Sequence, residues 1–253
     1  MPSMRLCVVT ENRKLNDTSA MITIDAGEIA EQAAAGQFIH VKCGEGSLLR
    51  RPISISNIEN GRLSMVVEAR GEGTRWLLDR QRGEEIDVLG PLGRGFDLSG
   101  RRILVVGGGI GVPPMFFAAR SAESDVTAVL GFRNQACIIL AEEFKSICKN
   151  TYITTDDGSF GEKGSVTLPM KRLLEAGSFD AAMACGPKPM LKAVAGLCME
   201  YHVPCQVSME ERMGCGIGAC LVCACKTQKN GMEKMSHVCK DGPVFDAMEV
   251  DWS

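Results

Sequence analysis

The sequence predicts a multidomain chain. An antiparallel β-barrel spans residues 1–99, an α/β domain with a parallel sheet spans 100–209, and a small cysteine-rich module spans 210–253. Three observations carry that prediction. The first hundred residues hold short apolar runs broken by Gly, Asn, Asp and Pro, the next hundred alternate apolar runs with helix-like stretches, and beyond Met209 neither rhythm persists. In that last region five of the 12 cysteines crowd between Cys215 and Cys239.

In the first region the strand-like runs are 6–10, 20–24, 37–41, 53–57, 63–67 and 86–89, with one short helix predicted at 74–80. Six short strands at this spacing with turn residues between them suit a small barrel. From Arg101 the strands fall at 103–106, 126–130, 152–155, 181–184 and 205–208, and the helices at 113–121, 141–148, 166–175 and 189–201. Apolar strands separated by helices imply a parallel sheet covered on both faces. Residues 213–251 are rich in Gly and Cys with little apolar periodicity, so this module is expected to depend on something other than a hydrophobic core.

Composition excludes several classes. With 45% hydrophobic and 23% charged residues and a net charge of −3, the chain is an ordinary globular protein rather than a disordered one. That charge offers no basic footprint for nucleic acid, and no apolar run is long enough to span a bilayer. The first ten residues lack the apolar run of a signal peptide, and scattered thiols without one point to a reducing compartment, the cytoplasm. There, grouped cysteines serve metals or redox chemistry rather than disulfides.

The cysteine frame is specific. Cys215, Cys220 and Cys223 follow a C-x4-C-x2-C spacing, and Cys239 comes after fifteen further residues. This is the plant-type arrangement for a 2Fe-2S cluster, whose iron and sulfide demand soft anionic donors, and the interleaved glycines let backbone N–H groups approach the cluster sulfurs. A zinc knuckle is the competing reading, but it ordinarily uses two C-x2-C pairs or a Cys/His mixture, and only one such pair exists here. Cys225 breaks the frame and is left out as a ligand.

Two further motifs suggest cofactors. Arg50-Arg51-Pro52-Ile53-Ser54 opens a strand, where an arginine can grip a pyrophosphate and a serine hydroxyl can bond a flavin ring nitrogen; taken alone, it reads sooner as a strand with a solvated Arg, and the segments that follow change the balance. Gly71-Glu72-Gly73-Thr74 opens the barrel's helix as a glycine-rich phosphate turn, and a Gly-Pro-Leu-Gly segment at 90–93 closes the domain. Gly107, Gly108, Gly109 and Gly111 lie between a strand and a helix, as a dinucleotide loop should, although Val112 replaces the third glycine of the fingerprint. Cys185-Gly186 ends the fourth strand of the sheet, where ligands collect. Cys185 reads either as a nicotinamide neighbour or as a buried small apolar residue. No acidic residue stands about twenty positions after the glycine loop, and Arg133 can meet a 2′-phosphate, so NAD and NADP both stay open. The 156–159 segment, Asp-Asp-Gly-Ser, reads as a cofactor contact or a solvated turn.

Together the flavin and nucleotide motifs resemble the ferredoxin–NADP reductase superfamily. Over essentially the full length, on the segments 50–56, 71–77, 88–96, 107–115, 184–193, 208–227 and 238–245, the chain resembles the electron-transfer subunits of NAD-linked dihydroorotate dehydrogenase B. That resemblance implies FAD held by Arg51, Pro52, Ile53, Ser54, Val66, Val67, Glu68, Gly73 and Thr74, and a 2Fe-2S cluster held by Cys215, Cys220, Cys223 and Cys239. Ser54 is implied to tune the flavin and Cys185 to lie near the nicotinamide. It further implies a place in pyrimidine biosynthesis, with a separate FMN-containing catalytic subunit oxidising dihydroorotate in a two-plus-two heterotetramer. A 2Fe-2S centre carries single electrons and nicotinamide accepts a hydride, so FAD is needed between them as the converter. Two other readings are a flavin/iron-sulfur subunit of an NAD(P)H-dependent ferredoxin oxidoreductase or sulfide dehydrogenase, and a non-enzymatic zinc-bearing interaction module.

Overall fold

A computed structural model describes every residue except Met1, Ser178 and Asn230. The barrel consists of β1 (Ser3–Lys14), β2 (Ser19–Asp25), a short α1 (Glu28–Gln32), β3 (Phe38–Val41), β4 (Arg51–Glu59), β5 (Arg62–Glu68), α2 (Glu72–Leu78) and β6 (Glu85–Leu92). The strands close in the order β1-β2-β5-β4-β3-β6, antiparallel throughout. Alternation along each strand sends Cys7, Val9, Ile22, Ile24, Ile55, Leu63, Met65, Val67, Ile86 and Val88 into the interior. Between β4 and β5 stand Asn60 and Gly61 with φ of 51° and 72°, the paired left-handed residues that a two-residue hairpin turn requires.

Two barrel features depart from the sequence expectation. β1 runs on through the polar Glu11–Lys14 stretch because pairing with β2, up to Lys14 opposite Ala20, outweighs its low apolar content. The bulge between Val9 and Glu11 absorbs the change of register. The five-residue α1 was not expected, being too short for an apolar period to show.

The second domain contains β7 (Arg102–Gly108), a 3-10 turn at Gly109–Gly111, α3 (Val112–Ser121), β8 (Asp125–Phe132), a second 3-10 turn at Gln135–Cys137, α4 (Ala141–Ile147), β9 (Asn150–Thr155), β10 (Glu162–Lys163), α5 (Thr167–Ala176), β11 (Ala181–Cys185), α6 (Lys188–Glu200) and β12 (Cys205–Ser208). The tail adds a hairpin, β13 (Ala224–Lys229) with β14 (Met232–His237), and a last strand β15 (Val244–Asp246). The large sheet has the order β10-β9-β8-β7-β11-β12-β15 and is parallel except where β15 runs antiparallel to β12. Strand order reverses between β7 and β11, so the crevice beyond their C-terminal ends is the ligand position of this architecture.

The cysteine-rich tail is not independent of the nucleotide domain. Cys223, Val238, Cys239, Phe245, Ala247 and Val250 share one buried cluster with Leu104, Val106, Ala182 and Val207, so the expectation of a module without an apolar core is corrected. The strand β15 was illegible because three residues carry no period. The Arg94 amide donates to the Gly242 carbonyl at 2.6 Å and the Met209 amide to the Pro243 carbonyl at 2.8 Å, tying this tail to both other domains. On the opposite side, α3 inserts Met115, Phe116 and Ala119 into the same apolar cluster as the barrel interior, and Arg120 pairs with Glu59 at 2.6 Å. Among the described residues no helix is long and apolar enough to cross a membrane.

Candidate functional site

One cleft of about 940 Å³ lies between the barrel and the parallel sheet. Arg51, Pro52, Ile53 and Ser54 line it from β4, Val66 and Glu68 from β5, and Thr74 from α2. Gly108 faces it from the end of β7, Gly109 and Gly111 from the turn that follows, and Cys185 from the end of β11. Three sequence candidates stand elsewhere. Val67 points into the barrel and is fully buried, because its neighbour Val66 takes the opposite face of the strand. Gly73 and Gly107 act through packing instead: a methyl on Gly73 would come within 2.8 Å of the Arg51 Nε, and one on Gly107 within 2.9 Å of Val112.

At the barrel end, Arg51 is steered by its own Nη1, which donates to the Leu49 carbonyl at 2.7 Å, and its stem passes over Gly73. The Thr74 hydroxyl accepts from the Arg70 and Gly71 amides at 2.8 and 3.0 Å, which shapes the turn into α2. Glu68 pairs with Arg70 at 2.7 Å. The walls here are apolar strand faces with the Arg51 and Arg70 guanidiniums and the Ser54 hydroxyl, a donor set suited to a flat ring joined to a pyrophosphate.

At the sheet end the four glycines divide their work. Gly109 has φ +53° and open space around it, so it exposes backbone to the cleft. Gly111 is pressed against the Cys185–Gly186 backbone, and a methyl there would overlap the Cys185 carbonyl. Parallel pairing sets Cys185 opposite Gly107, so the glycine loop and the Cys-Gly turn meet at the switch point. The Cys185 residue is half-buried yet its sulfur is enclosed, and burial, only partly offset by a hydrogen bond with Ser208, pushes the thiol up to about 12. It is a protonated wall residue rather than a nucleophile. Arg133 and Asp156 both line the far end of the cleft. Asp157 is instead committed to its own turn, accepting from the Ser159 amide at 2.9 Å and from the Ser159 hydroxyl at 2.6 Å.

The four framed cysteines fall into two pairs in the tail. The Cys215 and Cys220 thiols are neighbours, as are those of Cys223 and Cys239. Five backbone amides aim at these sulfurs: Ala219 and Cys220 at Cys215 (3.2 and 3.4 Å), Cys215 at Cys220 (3.4 Å), Gly218 at Cys239 (3.1 Å) and Cys239 at Cys223 (3.4 Å). Burial raises the Cys215 thiol, but the surrounding amides of Ile217, Cys220 and Ala219 and the Cys220 side chain outweigh it and hold the thiol down at about 6. Positive φ at Gly216 (75°) and Gly218 (84°) makes the close wrapping possible. Among the described residues no three metal-binding side chains gather about one point. Two thiol pairs with amides converging on them fit a two-iron cluster, which takes two thiolates per iron, better than a single tetrahedral zinc. Cys225 sits within β13 opposite Ser236, outside both pairs.

Behind the cleft wall, His40 on β3 is fully buried, and neither ring nitrogen has a hydrogen-bond partner. Burial, reinforced by the Arg50 and Arg51 charges, pushes the imidazole down to about 4 despite the nearby Cys215 backbone.

Comparison with known proteins settles the family. Residues 105–196 match the oxidoreductase NAD-binding domain and residues 210–251 the iron-sulfur cluster binding domain of dihydroorotate dehydrogenase B. The chain is 43% identical over 255 residues, 96% of each chain, to the dihydroorotate dehydrogenase B (NAD(+)), electron transfer subunit of Bacillus pumilus. It is 40% identical over 257 residues, 97% of each chain, to that of Shouchella clausii. The chain belongs to the electron transfer subunits of dihydroorotate dehydrogenase B.

Among solved structures, the NADH-dependent reduced ferredoxin-NADP oxidoreductase, described in terms of flavin-based electron bifurcation, superposes with a TM-score of 0.88 at 32% identity, covering 98% of this chain and 90% of that one. The electron transfer subunit thus has the reductase fold that its motifs imply, with an iron-sulfur domain in place of the zinc alternative. Cleft residues that motif reading missed are Asn16 and Thr18 in the β1–β2 turn, Phe38 on β3, Glu210, Glu211 and Met213 after β12, and Pro243. The Glu210–Met213 stretch was available as part of a distinctive sequence segment, but nothing in its spacing told which residues face a cleft.

Proposed function

We propose that this chain conducts electrons between the FMN of a separate dihydroorotate-oxidising chain and NAD, using a 2Fe-2S cluster and FAD, within pyrimidine biosynthesis in the cytoplasm. The observation that carries the reading is that one cleft is lined by the flavin motif and the dinucleotide loop together, while the paired-cysteine loop packs against the barrel strand behind it. When bound, FAD supplies both one-electron and hydride chemistry. Arg51 would neutralise the pyrophosphate, with Pro52, Ile53, Val66, Glu68 and the Gly73–Thr74 turn shaping the flavin end of the cleft. The Ser54 hydroxyl would bond the flavin ring. Gly108, Gly109 and Gly111 would admit the NAD backbone closely, and the enclosed Cys185 thiol would bound the nicotinamide side without reacting. Cys215, Cys220, Cys223 and Cys239 would hold the cluster.

Exposed Ile217, Leu221 and Val222 surround the exposed Cys220, an apolar rim suited to the catalytic partner's docking and to a short electron path. Two copies of each chain would form the assembly. The test is to purify this chain alone and with its co-purifying partner. Alone it should oxidise NADH with an artificial dye and leave dihydroorotate untouched, while the complex should reduce NAD with dihydroorotate. Conversion of dihydroorotate by the isolated chain would refute the division of labour, and a partner active on ferredoxin instead would select the ferredoxin oxidoreductase reading that the 32% identical structure keeps in view.

A further inference from the structure

His40 has no role in any motif, yet on β3, beside the flavin strand, it meets the cluster loop at Gly216. Its β3 backbone pairs with Pro52 of the flavin motif, and Arg50 Nη1 donates to its carbonyl at 3.3 Å. Its ring lies edge-on to Phe38, 6.3 Å between centroids and 86° between planes, and Phe38 lines the cleft. On the other side the ring meets Gly216: a methyl there would fall 2.7 Å from His40 Nδ1, so the loop passes over the imidazole bare of any side chain. Gly216 directly follows Cys215, whose backbone is close enough to interact with the ring.

A leucine would fill this buried position without burying nitrogens. The ring nitrogens are fully buried, make no well-formed hydrogen bond and have the Cys215 backbone as a polar neighbour, and such groups call for an explanation. The Nδ1 edge faces the Cys215–Gly216 turn, where an N–H could stabilise negative charge gained on cluster reduction. We propose that His40 is a positioning residue for the 2Fe-2S centre, seating the Cys215–Gly216 turn on β3 beside the flavin strand and raising the cluster's reduction potential through its ring N–H. The proposal rests on Cys215 being a cluster ligand.

The experiment uses the full chain purified anaerobically with its cofactors, as wild type, His40→Leu and His40→Asn. Asparagine carries an N–H near the place of Nδ1, whereas leucine keeps volume only. The readouts are iron and acid-labile sulfide content, the electron paramagnetic resonance signal of the reduced cluster and its midpoint potential. His40→Leu should favour the oxidised cluster by about tenfold, a fall of about 59 mV for a one-electron couple, with an altered resonance signal, and His40→Asn should recover most of the wild-type value. Unchanged potential and signal in His40→Leu overturn the proposal, as does an equal shift in both variants, because volume would then be the cause. If His40→Leu fails to retain its flavin, His40→Met, which also keeps volume without an N–H, takes its place under the same criteria. A wild-type chain without iron and sulfide refutes the cluster reading itself, which separates that failure from this one.

Discussion

Gly111→Ala is the sharpest probe of the cleft. Its methyl would lie 2.7 Å from the Gly186 nitrogen and closer still to the Cys185 carbonyl, so the glycine loop and the end of β11 must part by about 1 Å to restore ordinary contact. Both sides are backbone, the turn that follows β7 on one and the end of β11 on the other, and neither can rotate away as a side chain would. Overpacking of this kind costs about 1–3 kcal/mol, a Tm fall of roughly 2–12 °C for a chain of this size. Displacing the dinucleotide loop by about 1 Å should lower kcat/KM for NADH by roughly a hundredfold. Gly109→Ala is the control, since it meets no atom and carries only the left-handed backbone cost of about 1–2 kcal/mol. Thermal melts and NADH–dye kinetics on the two variants compare the effects. Gly111→Ala with wild-type Tm and wild-type kcat/KM would show that the Cys185–Gly186 turn does not set the position of the loop.

Other expectations are independent of that one. Cys220→Ser should cost the cluster, seen as lost iron and sulfide, and block electron passage from the partner while FAD content and NADH–dye turnover persist; undiminished coupled activity would sink the wire mechanism. Arg133→Ala should reduce kcat/KM for NADPH more than for NADH, because a 2′-phosphate needs the guanidinium and a ribose hydroxyl does not; equal losses would remove Arg133 from selectivity. Iodoacetamide at mildly alkaline pH should label exposed Cys137 and spare Cys185, whose enclosed thiol stays protonated, and mass spectrometry of the peptides reads the result. Asp180 accepts from the Arg102 and Arg101 amides at 2.9 and 2.7 Å, which holds its carboxyl below the ordinary value. A lowered folded pKa contributes stability above the unfolded value of about 4 and loses it as pH falls through the folded one, so the Tm gap between wild type and Asp180→Asn should narrow from about pH 6 to about pH 3. A gap that widens on acidification contradicts this.

Much of this was legible before any coordinates. The barrel strands are written in alternating apolar residues such as Ile22, Ile24, Leu63, Met65 and Val67, which have one way to bury a face. The cysteine frame is local, so its spacing alone specifies a loop that can enclose a cluster. Covalent proximity and short periods survive in one dimension. What a residue faces across the chain does not, and only the tertiary structure decided it. It split adjacent Val66 and Val67 between cleft and barrel interior. It took Gly107 out of the cleft, pressed Gly111 against the Cys185–Gly186 backbone at the cleft wall and left Gly109 open, although all three belong to one glycine run. It set Val244–Asp246 beside β12 across more than thirty intervening residues, making the cysteine-rich tail an edge of the nucleotide sheet. It also brought His40 against Gly216, a contact between distant segments that no motif encodes, because packing depends on three-dimensional register rather than on separation along the chain.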